Sequence, residues 1–223
     1  MLVLGIDTSS TAVSVALVEL LDDGGDRLVA QSGPLEGRRH GELLAPAVAA
    51  LLETGAAREH GLGGVTVGVG PGPFTGLRVG VVTAAALGDA LGVPVFGVCS
   101  LDGLVEDGAG PVVAVTDARR REVYWARYDS AGNRVSGPEV VGPAVLAASL
   151  VAGERLVGEG AWLYREAFGS AEVLAAPRFP SPAGLVRRAA ADLRAGVLAA
   201  PLTPLYLRRP DAQEPAAAKR VTA

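Results

Sequence analysis

Residues Leu2 to Ile6 form an apolar run closed by Asp7, and Thr8-Ser9-Ser10-Thr11 is a polar turn behind it. Ala12 to Val18 then alternates small or polar residues with apolar ones, so the pattern predicts strand, turn, strand. Asp22-Asp23-Gly24-Gly25-Asp26 predicts a second turn and Arg27 to Gln31 a third strand. Three strands joined by such short turns make an antiparallel meander. His40 to Glu53 carries apolar residues at helical spacing, and Gly61, Gly63 and Gly64 mark a loop. Val65 to Val69 reads as a strand ending in Gly70-Pro71-Gly72-Pro73. A second helix is expected from about Thr75 to Leu91, stopped by Gly92 and Pro94, with a strand from Val95 to Val98 after it. Hairpins followed by helix–strand crossovers predict an α/β fold, a ribonuclease-H-like lobe with a mixed sheet and flanking helices.

The second half opens the same way. Pro111 to Asp117 is an apolar strand ending in aspartate, Ala118-Arg119-Arg120-Arg121 is a polar turn, and Glu122 to Tyr128 is the return strand. The match between halves is architectural rather than residue by residue. It predicts two related lobes, residues 1–100 and 101–209, the arrangement of sugar kinases, actin and the Hsp70 ATPase domain. Leu156 to Gly158 is a further strand and Pro182 to Ala195 a further helix. Residues 210–223, rich in Pro, Ala and charge, are expected to be a disordered tail.

Composition narrows the function classes. Hydrophobic residues are 49% of the 223, ample for a core, and the net charge of −4 gives no general attraction to nucleic acid or anionic lipid. If the chain meets RNA, a more basic partner stands beside it. One cysteine, Cys99, excludes an internal disulfide. The N-terminal run lacks a basic leader and meets Asp7 at once, so it reads as a buried strand, not a signal peptide. No uninterrupted apolar stretch reaches bilayer length, and a cytoplasmic protein is expected.

Candidate chemistry is sparse. Asp7, ending the first strand, could hold a metal-bound water while Thr8 and Ser9 offer N–H and hydroxyl groups to phosphates; it could equally just close a turn. The run from Gly68 to Arg78 is the most distinctive. Its glycines allow close backbone approach, Thr75 is a candidate helix cap, and helix N-termini attract anions. It is neither a Walker loop nor a dinucleotide fingerprint, and a rigid loop that seats the second helix against the sheet explains it as well. Of the two histidines, His40 has Leu44 four residues on, and His60 has Ala56 and Gly64 four residues either side; no histidine pair, Cys-x-x-Cys or Gly-x-Ser-x-Gly exists. No metal or cofactor is expected.

The two predicted helices carry more apolar residues than one buried stripe needs. Leu43, Leu44, Val48, Leu51 and Leu52 in the first, and Val79, Val82 and Ala86 in the second, are candidates for a surface that a partner buries. Other parts of the same chain could cover them instead.

The run Gly70-Pro71-Gly72-Pro73-Phe74-Thr75-Gly76-Leu77-Arg78-Val79-Gly80 resembles the signature of the TsaB (YeaZ) proteins, with Pro73 where the family has Ser. Ile6-Asp7-Thr8-Ser9, Arg38-Arg39-His40-Gly41, Asp117-Ala118-Arg119 with Glu122 to Ala126, and Pro204-Leu205-Tyr206-Leu207-Arg208 resemble further family segments in the same order, from Met1 to about Arg209. Gly41 departs from the family's Ser, which removes a hydroxyl, and Pro73 removes an N–H. The resemblance implies the acetate and sugar kinase, Hsp70 and actin superfamily. It implies a non-catalytic subunit in the synthesis of threonylcarbamoyladenosine on tRNA. That subunit binds and activates the transferase TsaD, with TsaE in a larger complex, a homodimer when alone, and tRNA met indirectly. It moves the two helices towards the partner surface. Asp7, Thr8, Ser9, Thr75, Gly76, Arg78, Asp117 and Arg119 become possible remnants of a nucleotide site. The rival readings are a glycoprotease-like peptidase or a small-molecule kinase of the same superfamily.

Overall fold

In a computed structural model, residues 1–37, 39–106 and 110–208 are described. The expected tail, 210–223, and Arg38 lie outside them. The first sheet contains β1 (Leu2–Asp7), β2 (Ala12–Leu20), β3 (Asp26–Glu36), β4 (Gly64–Gly68) and β5 (Val95–Val98), in the order β3-β2-β1-β4-β5. β1 and β2 pair antiparallel, as do β2 and β3, while β4 and β5 add in parallel. Helices α1 (His40–Leu52), α2 (Gly55–His60) and α3 (Phe74–Leu91) connect them.

The second sheet contains β6 (Val112–Asp117), β7 (Val123–Tyr128), β8 (Arg134–Val141), β9 (Arg155–Val157) and β10 (Glu172–Val173), in the order β10-β9-β6-β7-β8. Read from the other edge, that is the order of the first sheet. Helices α4 (Pro143–Ser149) and α5 (Glu159–Leu163) fill its crossovers, and α6 (Pro182–Arg194) follows β10. Sequence pattern missed α2, β8, α4, α5 and β10. All are short or carry Gly, Pro and polar residues that blur periodicity. β3 also runs five residues beyond Gln31 because it stays paired to β2 through a bulge.

The duplication reaches individual residues. β3 carries Gly33-Pro34 and β8 carries Gly137-Pro138, each where the pairing with the preceding strand shifts register. Both glycines hold positive φ, 100° and 83°, and a Cβ at either would press into a carbonyl of the neighbouring strand, Val13 or Trp125.

β1 is apolar from Leu2 to Ile6 because both its faces are buried. Leu2, Leu4 and Ile6 join the core beneath α1 and α3, with Leu44, Val48, Leu51, Leu77 and Val81. Val3 faces the other way, into a cluster with Leu185, Val186, Ala189 and Leu193 of α6. A helix from the second half of the chain therefore closes the back of the first sheet. The segment after α6 returns across both lobes: Leu202 and Leu205 pack on the first core, Leu205 also on the second, and Leu205 N–H donates to the Val69 carbonyl at 2.8 Å.

Candidate functional site

Two regions emerge: the carboxyl ends of the central strands, and the outward face of α1 and α3. At the end of β1, Asp7 is sealed at 1% exposure. Its Oδ1 accepts from the Ser9 N–H at 2.9 Å and the Ser9 hydroxyl at 2.8 Å. Burial pushes its pKa above the usual carboxylate range, against the lowering pull of contacts with Ser100 and Ser9 and of His40. Gly68 leaves no room for a side chain, since a Cβ there would overlap Asp7 and Ser100.

Thr8 fastens α3. Its hydroxyl donates to the Gly76 carbonyl at 2.8 Å and accepts from the Gly80 N–H at 3.1 Å, the two groups an α-helix pairs with each other. A Cβ at Gly76 would press on the Thr8 carbonyl, and one at Gly80 would overlap the Thr8 hydroxyl. His40 fastens α1, with Nε2 2.9 Å from the Ser10 carbonyl. The turn after β1 is thus a buried hub that holds both outer helices. The distinctive glycine run is the close-packing device that seats α3. Asp7 Oδ1 and the hydroxyls of Thr8 and Ser9 are engaged inside the protein, while Asp7 Oδ2 is buried without a hydrogen-bond partner among the described residues. Thr75 does not cap α3: the cap position is Pro73, with no side-chain bond, and Thr75 is exposed in the first turn.

The other expected contacts do not converge on one ligand position. Arg78 is exposed, its guanidinium 4.2 Å above the Phe74 ring, and its Nε donates to the Tyr206 hydroxyl at 3.3 Å. A cavity of about 260 Å³ lies beside this cluster, lined among others by Pro73, Arg119, Tyr124 and Arg208. Asp117 ends β6, and its Oδ1 accepts from the Arg119 N–H at 3.0 Å and the Tyr164 hydroxyl at 3.2 Å. Arg119, Arg120 and Arg121 all hold positive φ, 54–62°, a conformation that costs L-residues roughly 1–2 kcal/mol each. Across the lobes, the Thr11 hydroxyl lies 3.0 and 3.1 Å from the two carboxylate oxygens of Glu159. Sequence reading missed Thr11, Glu159, Tyr164 and Arg208. The one available signal was the strand end Val157-Gly158 just before Glu159.

The outer helices divide the expected interface in two. Leu44, Val48 and Leu51 are 1%, 4% and 4% exposed, sealed beneath α1 by this chain's own sheet. They belong to the core, which corrects their assignment to a partner surface. Leu43, Leu52 and Val79 are half-buried, and Ala86 is exposed. Val82 is 65% exposed and Leu91 49%. α3 is long and apolar enough, by length and composition alone, to cross a membrane, yet only one face, Gly76, Leu77, Gly80, Val81, Ala84 and Gly88, is buried. Ala45, Pro46, Ala49 and Ala50 on α1, and Ala85 and Ala90 on α3, extend the exposed small and apolar surface.

A family model described as TsaD, tRNA N6-adenosine threonylcarbamoyltransferase, matches residues 34–213. The tRNA threonylcarbamoyladenosine biosynthesis protein TsaB of Escherichia coli is 33% identical over 165 residues, covering 71% of this chain and 69% of that protein. The chain belongs to the TsaB (YeaZ) family. An uncharacterized protein of Mycobacterium tuberculosis is 47% identical over 213 residues, 95% of this chain and 93% of the relative. The structure of YeaZ from Pseudomonas aeruginosa superposes with a TM-score of 0.74 at 30% identity, covering 92% of this chain and all of that one. The two mixed-sheet lobes match that TsaB fold.

Proposed function

We propose that this chain is a non-catalytic subunit in tRNA threonylcarbamoyladenosine biosynthesis that binds a TsaD-type transferase through the outward face of α1 and α3. The observation that carries this reading is the surplus apolar surface of α3, centred on Val82. Burying such a side chain is worth roughly 1.5–3 kcal/mol, and a patch of them marks an interaction site. The face consists of Val82, Ala86, Leu43, Leu52 and Val79; the partner gains by contacting it in its competent state and so shifts its own equilibrium.

The names of the TsaB relatives support the pathway, and the sequence itself supports a helper role. Two histidines at positions 40 and 60 offer no helical metal pair. Asp7, the carboxylate best placed for kinase chemistry, is enclosed by its own chain. The same reading places the protein in the cytoplasm, with TsaE in a larger assembly, tRNA met through the partner and a homodimer on the same face when the partner is absent. It assigns the partner surface to residues 1–100 and a supporting lobe to 101–209.

The test is reconstitution. Purified chain alone should modify no tRNA, and should restore modification when added to TsaD, TsaE and the supplier of the carbamoyl-adenylate. Full activity of that mixture without this chain refutes the proposal. Cleavage of peptides that survives chelator and repurification would restore the peptidase reading.

A further inference from the structure

The four-residue turn after β1, Thr8 to Thr11, is attached to three separate parts of the molecule. Thr8 bonds the Gly76 carbonyl and the Gly80 N–H and so holds α3. The Ser10 carbonyl lies 2.9 Å from Nε2 of His40, the first residue of α1. The Thr11 carbonyl accepts from the Gly37 N–H at 3.1 Å, just ahead of α1. A Cβ on Gly37 would meet Leu43 at 3.7 Å, so this link runs beside a residue of the face assigned to the partner. The turn is also braced within itself. Asp7 accepts from the Ser9 N–H and hydroxyl, and the Ala12 N–H donates to the Ser10 hydroxyl at 3.1 Å. Thr8, Ser9 and Ser10 are buried, and a turn packed and bonded in this way moves as a unit.

The third attachment reaches the other lobe. The Thr11 hydroxyl donates to Glu159, the first residue of α5, with 3.0 and 3.1 Å to the two carboxylate oxygens. Glu159 is fixed against the second sheet. Its N–H donates to the Arg178 carbonyl at 2.7 Å. The glycines on either side of it press on β6: a Cβ at Gly158 would strike the Val115 carbonyl, and one at Gly160 the Thr116 carbonyl. The proposed docking face is composite, with Leu43 on α1 and Val79 and Val82 on α3. Its shape therefore depends on how the two helices are spaced, and both are held by the turn that Glu159 secures.

We propose that Thr11 and Glu159 are positioning residues for the α1–α3 docking face: the tie between them sets the β1–β2 turn against the second lobe, and the turn sets both helices. This inference rests on the partner-binding reading and gives the second lobe its part in it. Neither residue touches the partner; each acts through the turn.

The experiment is calorimetric titration of the full chain with a TsaD-type transferase, at a temperature where circular dichroism shows each variant folded. Thr11→Val keeps the shape and removes the donor; Glu159→Ala removes the acceptor. Each should weaken binding at least about fivefold, the lower end of coupling between separate sites. The double variant should be no weaker than the weaker single one, because one contact is lost in all three. Thr11→Ser and Glu159→Gln keep a donor and an acceptor and should bind within about twofold of wild type. A tie that served folding alone would lower the melting temperature and leave the dissociation constant of the folded protein unchanged. Wild-type affinity in folded Thr11→Val and Glu159→Ala overturns the proposal, as does equal weakening by the Ser and Gln variants. If one of the first pair loses its native circular dichroism, the other decides; if both do, the tie is a folding contact and the proposal fails. Val82→Asp separates the two readings. If it binds like wild type, the face itself is misassigned and the positioning role falls with it; if it alone abolishes binding while Thr11→Val and Glu159→Ala do not weaken it, only the positioning role is lost.

Discussion

Leu51 and Val82 look alike in the sequence, two apolar residues on neighbouring helices, yet a charge at each should have opposite consequences. Leu51→Asp puts an unpaired carboxylate into the core under α1, at a cost of about 3–5 kcal/mol. That is much of the stability of an ordinary domain, so urea melts should show a large loss or no native baseline. Val82→Asp lies on the surface and should shift stability by no more than about 0.5 kcal/mol. Asp7 gives a pH test. Its folded pKa lies above the ordinary 3.8, so the folded state takes up the proton first, and the stability it contributes is lost as pH rises through that folded value. Asp7→Asn keeps an acceptor for Ser9 and removes the buried charge. It should melt higher than wild type at pH 7, with the difference closing below about pH 4. A variant less stable than wild type at pH 7 would contradict the sign. Cys99, buried and beside Asp102, has its thiol pushed up to about 12. It should react with a thiol reagent at pH 8 only after unfolding.

Between the helices and the sheet, the decisive contact is Thr8 inserted at Gly76 and Gly80 of α3. Gly80→Ala drives a methyl into the Thr8 hydroxyl and should cost about 1–3 kcal/mol, despite alanine's better helix propensity. Thr8→Ala vacates the same space, so the double variant should be more stable than the sum of the two losses predicts. Additive losses in urea unfolding would mean that the two residues do not share this contact. The elements themselves were legible where periodicity was strong: β1, β2, α1, α3, β6, β7 and α6 lie within a few residues of the pattern. The outward and inward faces of α1 were not, because its apolar residues and alanines surround the whole helix. Only the placement of β2 and β3 beneath it decides that Leu44, Val48 and Leu51 point in. The glycine run was readable as special, but not as a receptor for Thr8, since that needs the fold to bring residues 68 and 72 positions apart into contact.

The molecule is a duplicated pair of sheets whose cleft is tied by its own residues and whose spare apolar surface lies outside. The tie at Thr11 and Glu159, and the returning segment that joins Tyr206 to Arg78 and Arg208 to the Ala118 carbonyl, hold the two halves together. α6 on the back of the first sheet makes either half incomplete without the other. Such a body is suited to present a fixed face. Sequence resemblance gave the family, and the strand–Asp–turn–strand pattern repeated in both halves gave the two-lobe plan; the cross-lobe ties depend on contacts between residues far apart in the chain, such as Thr11 with Glu159, and carry no local pattern. The face itself is most directly tested by size-exclusion chromatography with light scattering on an equimolar mixture with a TsaD-type transferase. Wild type should co-elute as a heterodimer, and Val82→Asp, with wild-type circular dichroism, should elute apart from the transferase. A folded Val82→Asp that still co-elutes would contradict the assignment of that face.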